Sequence, residues 1–152
     1  LISAAVYEKI KDHMLYAGLT YCGHPMSCAA GLAAVQAYRA ENLIERSRQL
    51  GQGLFAELKQ LQTRHPVIGD VRGGQGLFAV LELVSDRDGK TPLVPWPQLH
   101  PALADLQKSA LGKGISLAVR GNLIIIAPPL VIHEQELSTA LSVLDDLLTE
   151  FF

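Results

Sequence analysis

Apolar residues at Leu43, Leu50, Leu54, Leu58 and Leu61 recur at helical spacing, with charged and amide side chains between them. That spacing predicts an amphipathic helix with one apolar face, ending near His65-Pro66. A second such set, Leu137, Leu141, Leu144, Leu148 and Phe151, predicts a final helix from about Glu134 to Phe152. Between them the period changes: Leu77 to Val84 is rich in strand formers at strand length and predicts a buried strand. Ile115 to Val119 and Leu123 to Ala127 predict two further strands around the tight turn Arg120-Gly121-Asn122, the layout of a hairpin. A helix from about Pro101 to Leu111 is stopped by Gly112-Lys113-Gly114.

The start of the chain is patterned differently. Leu1 to Val6 is an apolar, strand-like run, residues 7 to 17 predict a short amphipathic helix, and a helix of small residues is expected from about Pro25 to Arg39. Pro25 suits a first helical turn, where its missing N–H would have had no partner. Gly73, Gly74 and Gly76 mark a turn, Ser85 to Lys90 is polar, and the four prolines between Thr91 and Pro101 predict an irregular surface connection. The fold class that follows is α+β, a small and mainly antiparallel sheet with helices over one face.

Hydrophobic residues make up 49% of the 152 positions and charged residues 18%, enough apolar material for one core and too much for a disordered chain. No apolar run approaches the ~20 residues that span a bilayer. The formal net charge of -2, with basic residues scattered, argues against nucleic acid or an anionic membrane as partner. Cys22 and Cys28 sit too close together to make a useful staple, so both read as free thiols of a reducing, cytoplasmic compartment.

Candidate chemistry concentrates at a few places. Gly18-Leu19-Thr20-Tyr21-Cys22-Gly23-His24-Pro25 runs into the small-residue helix, where first-turn amides and the Thr20 hydroxyl suit an anion. Arg120 stands between two strands, where the bland reading is a solvated hairpin-turn arginine, although the planar fork of any arginine can grip a carboxylate bidentately. Arg72 lies among glycines in Asp70 to Gly76, yet that loop leads into a strand and not a helix, so a structural turn is expected and a nucleotide loop is not. Cys22, His24 and Cys28 lack a fourth metal ligand, and no metal is expected. His13, His65, His100 and His133 fall at helix ends or in polar loops without a partner pattern. Lys9, Lys11, Lys59, Lys90, Lys108 and Lys113 all fall on charged faces or turns.

The segment Gly18 to Pro25 with Cys28-Ala29-Ala30-Gly31-Leu32-Ala33 resembles the class III, or omega, family of pyridoxal-phosphate-dependent aminotransferases. Gly69-Asp70-Val71-Arg72-Gly73 with Gly76-Leu77-Phe78, then Val119-Arg120-Gly121-Asn122 and Ile126-Ala127-Pro128-Pro129-Leu130, match further family segments in order. They are most similar to taurine–pyruvate and related omega-amino acid transaminases. The resemblance implies the small C-terminal domain of a fold-type I enzyme, with residues 1–24 a remnant of the large cofactor-binding domain and 25–152 the bridging helix and small domain. It implies pyridoxal 5'-phosphate as cofactor, an amine and a 2-oxo acid as substrates, and a homodimer or higher homo-oligomer. Thr20 is then the residue that binds the cofactor phosphate of the neighbouring subunit, and Arg120 the one that binds the substrate carboxylate. The Schiff-base lysine of that family precedes the segment with which this chain begins, so the chain is expected to start mid-domain and to hold no catalytic residue. The alternative is an interaction or regulatory domain descended from an aminotransferase.

Overall fold

The structure, a computed structural model, describes residues 2–14, 18, 20–88 and 90–152 and divides into two units, Leu1–Ala37 and Tyr38–Phe152. In the first unit, helix α1 (Ala4–Ile10) opens on Ser3, whose hydroxyl accepts a hydrogen bond from the Val6 N–H at 3.3 Å. This N-cap replaces the strand expected over Leu1 to Val6 and moves the helix expected over 7 to 17 toward the N-terminus. Residues 15–17 of that expected helix lie outside the described residues. Helix α2 (Pro25–Ala40) starts on its proline, as the sequence predicts, and no residue of α1 or α2 is buried.

The second unit is built on α3 (Leu43–Arg64), followed by β1 (Ile68–Arg72), β2 (Ala79–Asp86), β3 (Thr91–Pro92), α4 (Pro101–Gly112), β4 (Ala118–Arg120), β5 (Leu123–Ile126) and α5 (Glu134–Phe151). The strands form an antiparallel sheet in the order β1-β2-β5-β4, with β3 pairing β2 off this path. Strand β1 is not legible as a strand from its own residues, because Ile68-Gly69-Asp70-Val71-Arg72 has a glycine and two charges and its register shifts between Ile68 and Asp70. Strand β2 starts at Ala79, leaving Phe78 exposed, and β4 starts only at Ala118. The hairpin β4–β5 pairs Val119 with Ile124 and Arg120 with Leu123.

Alternation along β2 separates two faces. Ala79, Leu81 and Leu83 point into the core with their cross-strand partners Ile68, Val71, Ile124 and Ile126, under Leu54, Leu58 and Leu61 of α3, Leu103 and Leu106 of α4, and Leu144, Leu147 and Leu148 of α5. The opposite face carries the rows Asp70, Glu82, Leu123, Arg120 and Arg72, Val80, Ile125, Ala118. Helices therefore cover one face of the sheet, and the charged residues lie on the other.

Two features fix α3. Gly51 lies so close to the Gly76 backbone that a Cβ there would fall 2.3 Å from its carbonyl carbon, while the Ser47 hydroxyl accepts the Leu77 N–H at 3.1 Å. At its C-terminus, the Arg87 guanidinium donates to the carbonyls of Gln62, His65 and Ile68 at 2.7, 2.7 and 3.1 Å, satisfying acceptors that a helix end leaves open. Beside it, buried His65 donates from Nε2 to Asp145 of α5 at 2.5 Å, and Arg64 adds a second bond to the same carboxylate at 2.7 Å.

Substituting the two glycines of α3 should give opposite signs. Gly51→Ala forces backbone apart and should destabilise the chain by about 1–3 kcal/mol, whereas Gly53, where an added Cβ would meet nothing within 4 Å, should gain about 1 kcal/mol as alanine. Urea unfolding of the two variants measures the difference, and equal shifts would show that α3 does not rest on Gly76.

The His65 hydrogen bond, with Arg64 assisting and burial opposing, holds the Asp145 carboxyl below the usual carboxylate range. A depressed folded-state pKa contributes stability that is present above the unfolded-state value of about 4 and is lost as pH falls through the folded value. Asp145→Asn should therefore cost about 1–2 kcal/mol at neutral pH, reduced by solvent screening of a carboxylate that is 33% exposed, and progressively less below pH ~4. Unfolding free energies of both forms across pH 2–7 check this, and a gap that does not narrow in acid would refute it.

Candidate functional site

Thr20 stands in an exposed turn that leads into α2. The turn is closed by the His24 N–H on the Tyr21 carbonyl at 3.2 Å, and Gly23 supplies the positive φ of 71° that the reversal needs. The His24 carbonyl then accepts the Cys28 N–H at 2.9 Å, starting the helix and leaving the Met26 and Ser27 amides as first-turn donors. Tyr21 meets His24 edge to face with ring centroids 5.4 Å apart, and the His24 Nδ1 is buried without a partner among the described residues. Among those residues the Thr20 hydroxyl makes no hydrogen bond. A free hydroxyl and helix-end amides are each donors of the kind a phosphate oxygen accepts from.

Arg120 ends β4 and is exposed on the helix-free face of the sheet. The turn after it is held at two points. The Asn122 side-chain amide donates to the Leu83 carbonyl at 3.0 Å, and the Leu83 N–H donates to the Asn122 carbonyl at 2.8 Å. Gly121 has φ of 58° and lies against Trp96, whose Cε3 would be 3.0 Å from a Cβ at that position.

Five of the other six arginines are engaged. Arg46 donates to the carbonyls of Leu130 and Ile132, Arg48 pairs with Glu45, Arg64 with Asp145, and Arg87 takes its three carbonyls. Arg72 closes β1 and bridges Glu82 at 2.6 Å and Asp70 at 3.3 Å, so it is a strand-end ion pair and not the turn residue expected. Among the described arginines only Arg39, near the end of α2, and Arg120 have neither a side-chain hydrogen bond nor an ion pair, and Arg120 is the one of the two on the sheet.

Three histidines lie at helix ends, as expected, with partners that no sequence pattern shows: His65 is ion-paired, His100 caps α4 by accepting the Ala102 N–H at 3.2 Å, and the His133 backbone N–H donates to Glu136 at 2.8 Å. These are structural roles at helix ends. Every lysine is exposed, Cys22 and Cys28 are exposed and unjoined, and no group of three metal-ligating residues occurs among the described residues. Among the same residues no helix is long and apolar enough to cross a membrane. Clefts of about 480 and 830 Å³ border α5, the first against α3 and the second against β5, and Arg120 lines neither. Asn122 falls within the motif Val119-Arg120-Gly121-Asn122 without a role assigned to it, and no motif singles out Trp96, although a lone tryptophan in a proline-rich connection is a visible signal.

The family model described as aminotransferase class-III matches residues 1–148. An ethanolamine-phosphate phospho-lyase homolog of Caenorhabditis elegans is 36% identical over 86% of this chain and 27% of its own length. The 5-aminovalerate aminotransferase of Pseudomonas putida is 32% identical over 88% of this chain and 30% of its own length. A solved taurine:2-oxoglutarate aminotransferase from Bifidobacterium kashiwanohense, in complex with PLP and glutamate, superposes with a TM-score of 0.85 at 30% identity, covering 98% of this chain and 33% of that one. The chain thus spans about a third or less of the length of these relatives. With nearly every residue matched by one family model, the chain belongs to the class-III aminotransferases.

Proposed function

We propose that these residues serve as the C-terminal part of a transaminase that uses pyridoxal 5'-phosphate to move an amino group between an amine or omega-amino acid and a 2-oxo acid. The observation that carries the reading is Arg120, an uncommitted guanidinium on the helix-free face of the sheet, where Arg72 is ion-paired and where Arg39, the other uncommitted arginine, does not lie. Its planar fork takes a substrate carboxylate through two charge-assisted hydrogen bonds. Residues 1–24 belong, on this reading, with the cofactor-binding domain, and 25–152 form the bridging helix and small domain.

The Thr20 hydroxyl, without a partner among the described residues, supports a role for Thr20 in holding the cofactor phosphate, reached in the neighbouring subunit of a homodimer or higher homo-oligomer. When bound, the cofactor supplies an electron sink for the amino-bearing carbon. The protein's part here is to anchor and orient. On this reading the lysine that bonds the cofactor is not among these residues. Two exposed, unjoined cysteines support a reducing, cytoplasmic setting. The phospho-lyase relative supports a second reading, elimination on the same cofactor, which would release product with no oxo-acid acceptor present. A polypeptide carrying these residues that neither transfers nor eliminates would leave the non-catalytic alternative.

In the holoenzyme that carries these residues, Arg120→Lys should impair turnover of pyruvate while acetaldehyde, which lacks the carboxylate, is less affected. Arg120→Ala should cost on the order of 2–5 kcal/mol in kcat/KM for pyruvate, since the carboxylate is left unpaired. Equal losses on both acceptors would make Arg120 structural.

Thr20→Ala should weaken cofactor retention by about 1–3 kcal/mol, the usual loss for a hydrogen bond to a charged group. Cofactor release during dialysis, followed by absorbance, reads this directly. Unchanged retention would remove Thr20 from the phosphate site.

A further inference from the structure

Trp96 is the only tryptophan of the chain and is 67% exposed, so burial of its ring is not what its position achieves. What it does meet is the backbone of Gly121. The ring carbons Cε3 and Cζ3 would lie 3.0 and 3.3 Å from a Cβ at that residue, which places the ring edge directly against the Gly121 Cα. Gly121 is itself buried, with φ of 58°, a conformation that an L side chain rarely adopts. The Trp96 connection is tied to the same strand as the turn. The Leu83 carbonyl accepts both the Leu93 N–H at 3.2 Å and the Asn122 side-chain amide at 3.0 Å. One carbonyl of β2 thus joins the start of the Trp96 connection to the turn, and His100 fixes the other end of the connection as the cap of α4.

We infer that Trp96 is a positioning residue for Arg120, clamping the Gly121 turn so that the guanidinium is presented from a fixed backbone. The inference rests on the reading of Arg120 as the carboxylate-binding residue. A free guanidinium on a long side chain carries much rotamer entropy, and holding its backbone limits what binding must still order. Asn122 fastens one side of the turn to β2 by hydrogen bonds. Trp96 closes the other side by contact alone, which a smaller side chain cannot reproduce.

Two measurements test this. In the 152-residue chain, Trp96→Ala should move and broaden the backbone amide resonances of Arg120, Gly121 and Asn122 while leaving that of Gly53 unchanged, and Trp96→Phe should perturb them less. Unmoved turn amides overturn the inference. In the holoenzyme that carries these residues, Trp96→Ala should raise KM for pyruvate about tenfold, the scale of a small misplacement of a binding group, with kcat and the acetaldehyde reaction unchanged within about twofold. Trp96→Phe should recover most of that loss. Losses that fall equally on both acceptors, or in kcat alone, would make Trp96 a general structural residue and overturn the inference. Arg120→Ala run in parallel separates the two ideas. If it acts on pyruvate alone while Trp96→Ala changes neither acceptor, the positioning role fails and the carboxylate reading stands. If Arg120→Ala acts equally on both acceptors, the carboxylate reading fails, and the positioning role with it.

Discussion

The contact of Gly51 with Gly76 sets where everything else in the second unit can lie. With no side chain between them, α3 approaches the segment entering β2 at backbone distance, and Ser47 one turn earlier receives the Leu77 N–H. That registration places Leu54, Leu58 and Leu61 over Ile68, Val71 and Leu81, and the helix end over β1. A leucine face alone could slide along a sheet with little loss, because apolar contact is not directional. The glycine approach and the serine hydrogen bond remove that freedom.

The sheet then divides labour between its faces. One face is consumed by packing under three helices, with Leu58, Leu81, Leu103 and Leu147 all fully buried. The other keeps its charges, and Asp70, Arg72 and Glu82 satisfy one another there. Arg120 lies in the same cross-strand row as Asp70 and Glu82 but with Leu123 between, so a neighbouring strand insulates it from that cluster. A charge held apart in this way stays available to a ligand.

Much of this is legible in the sequence, and the parts that are not share a cause. Helices α3, α4 and α5 and the hairpin follow from their own periodicity, and the apolar positions named for α3 form its packed face, Leu50 only partly buried. Strand β1 escapes a local reading because it exists by virtue of its partner: its bulge and its charges make sense only beside β2. At the N-terminus a single capping hydroxyl, Ser3, outweighs a short apolar run. For the site, the motifs point to Thr20 and Arg120, while Trp96 and Asn122 depend on which loop touches which turn, and no local pattern carries that. The pairing of His65 is invisible for the same reason, since Asp145 is 80 positions away along the chain.

The corner where α3 ends is held by two charges of different character. Arg87 binds three backbone carbonyls, whereas Asp145 draws α5 to the same corner with a carboxylate whose charge acid removes. The two seams therefore have different chemistry of release: acidification undoes the polar attachment of α5 and leaves the join between helix α3 and β1 clasped. Leu144, Leu147 and Leu148 keep α5 on the core at any pH, so acid weakens one polar corner of that helix and not its apolar seat.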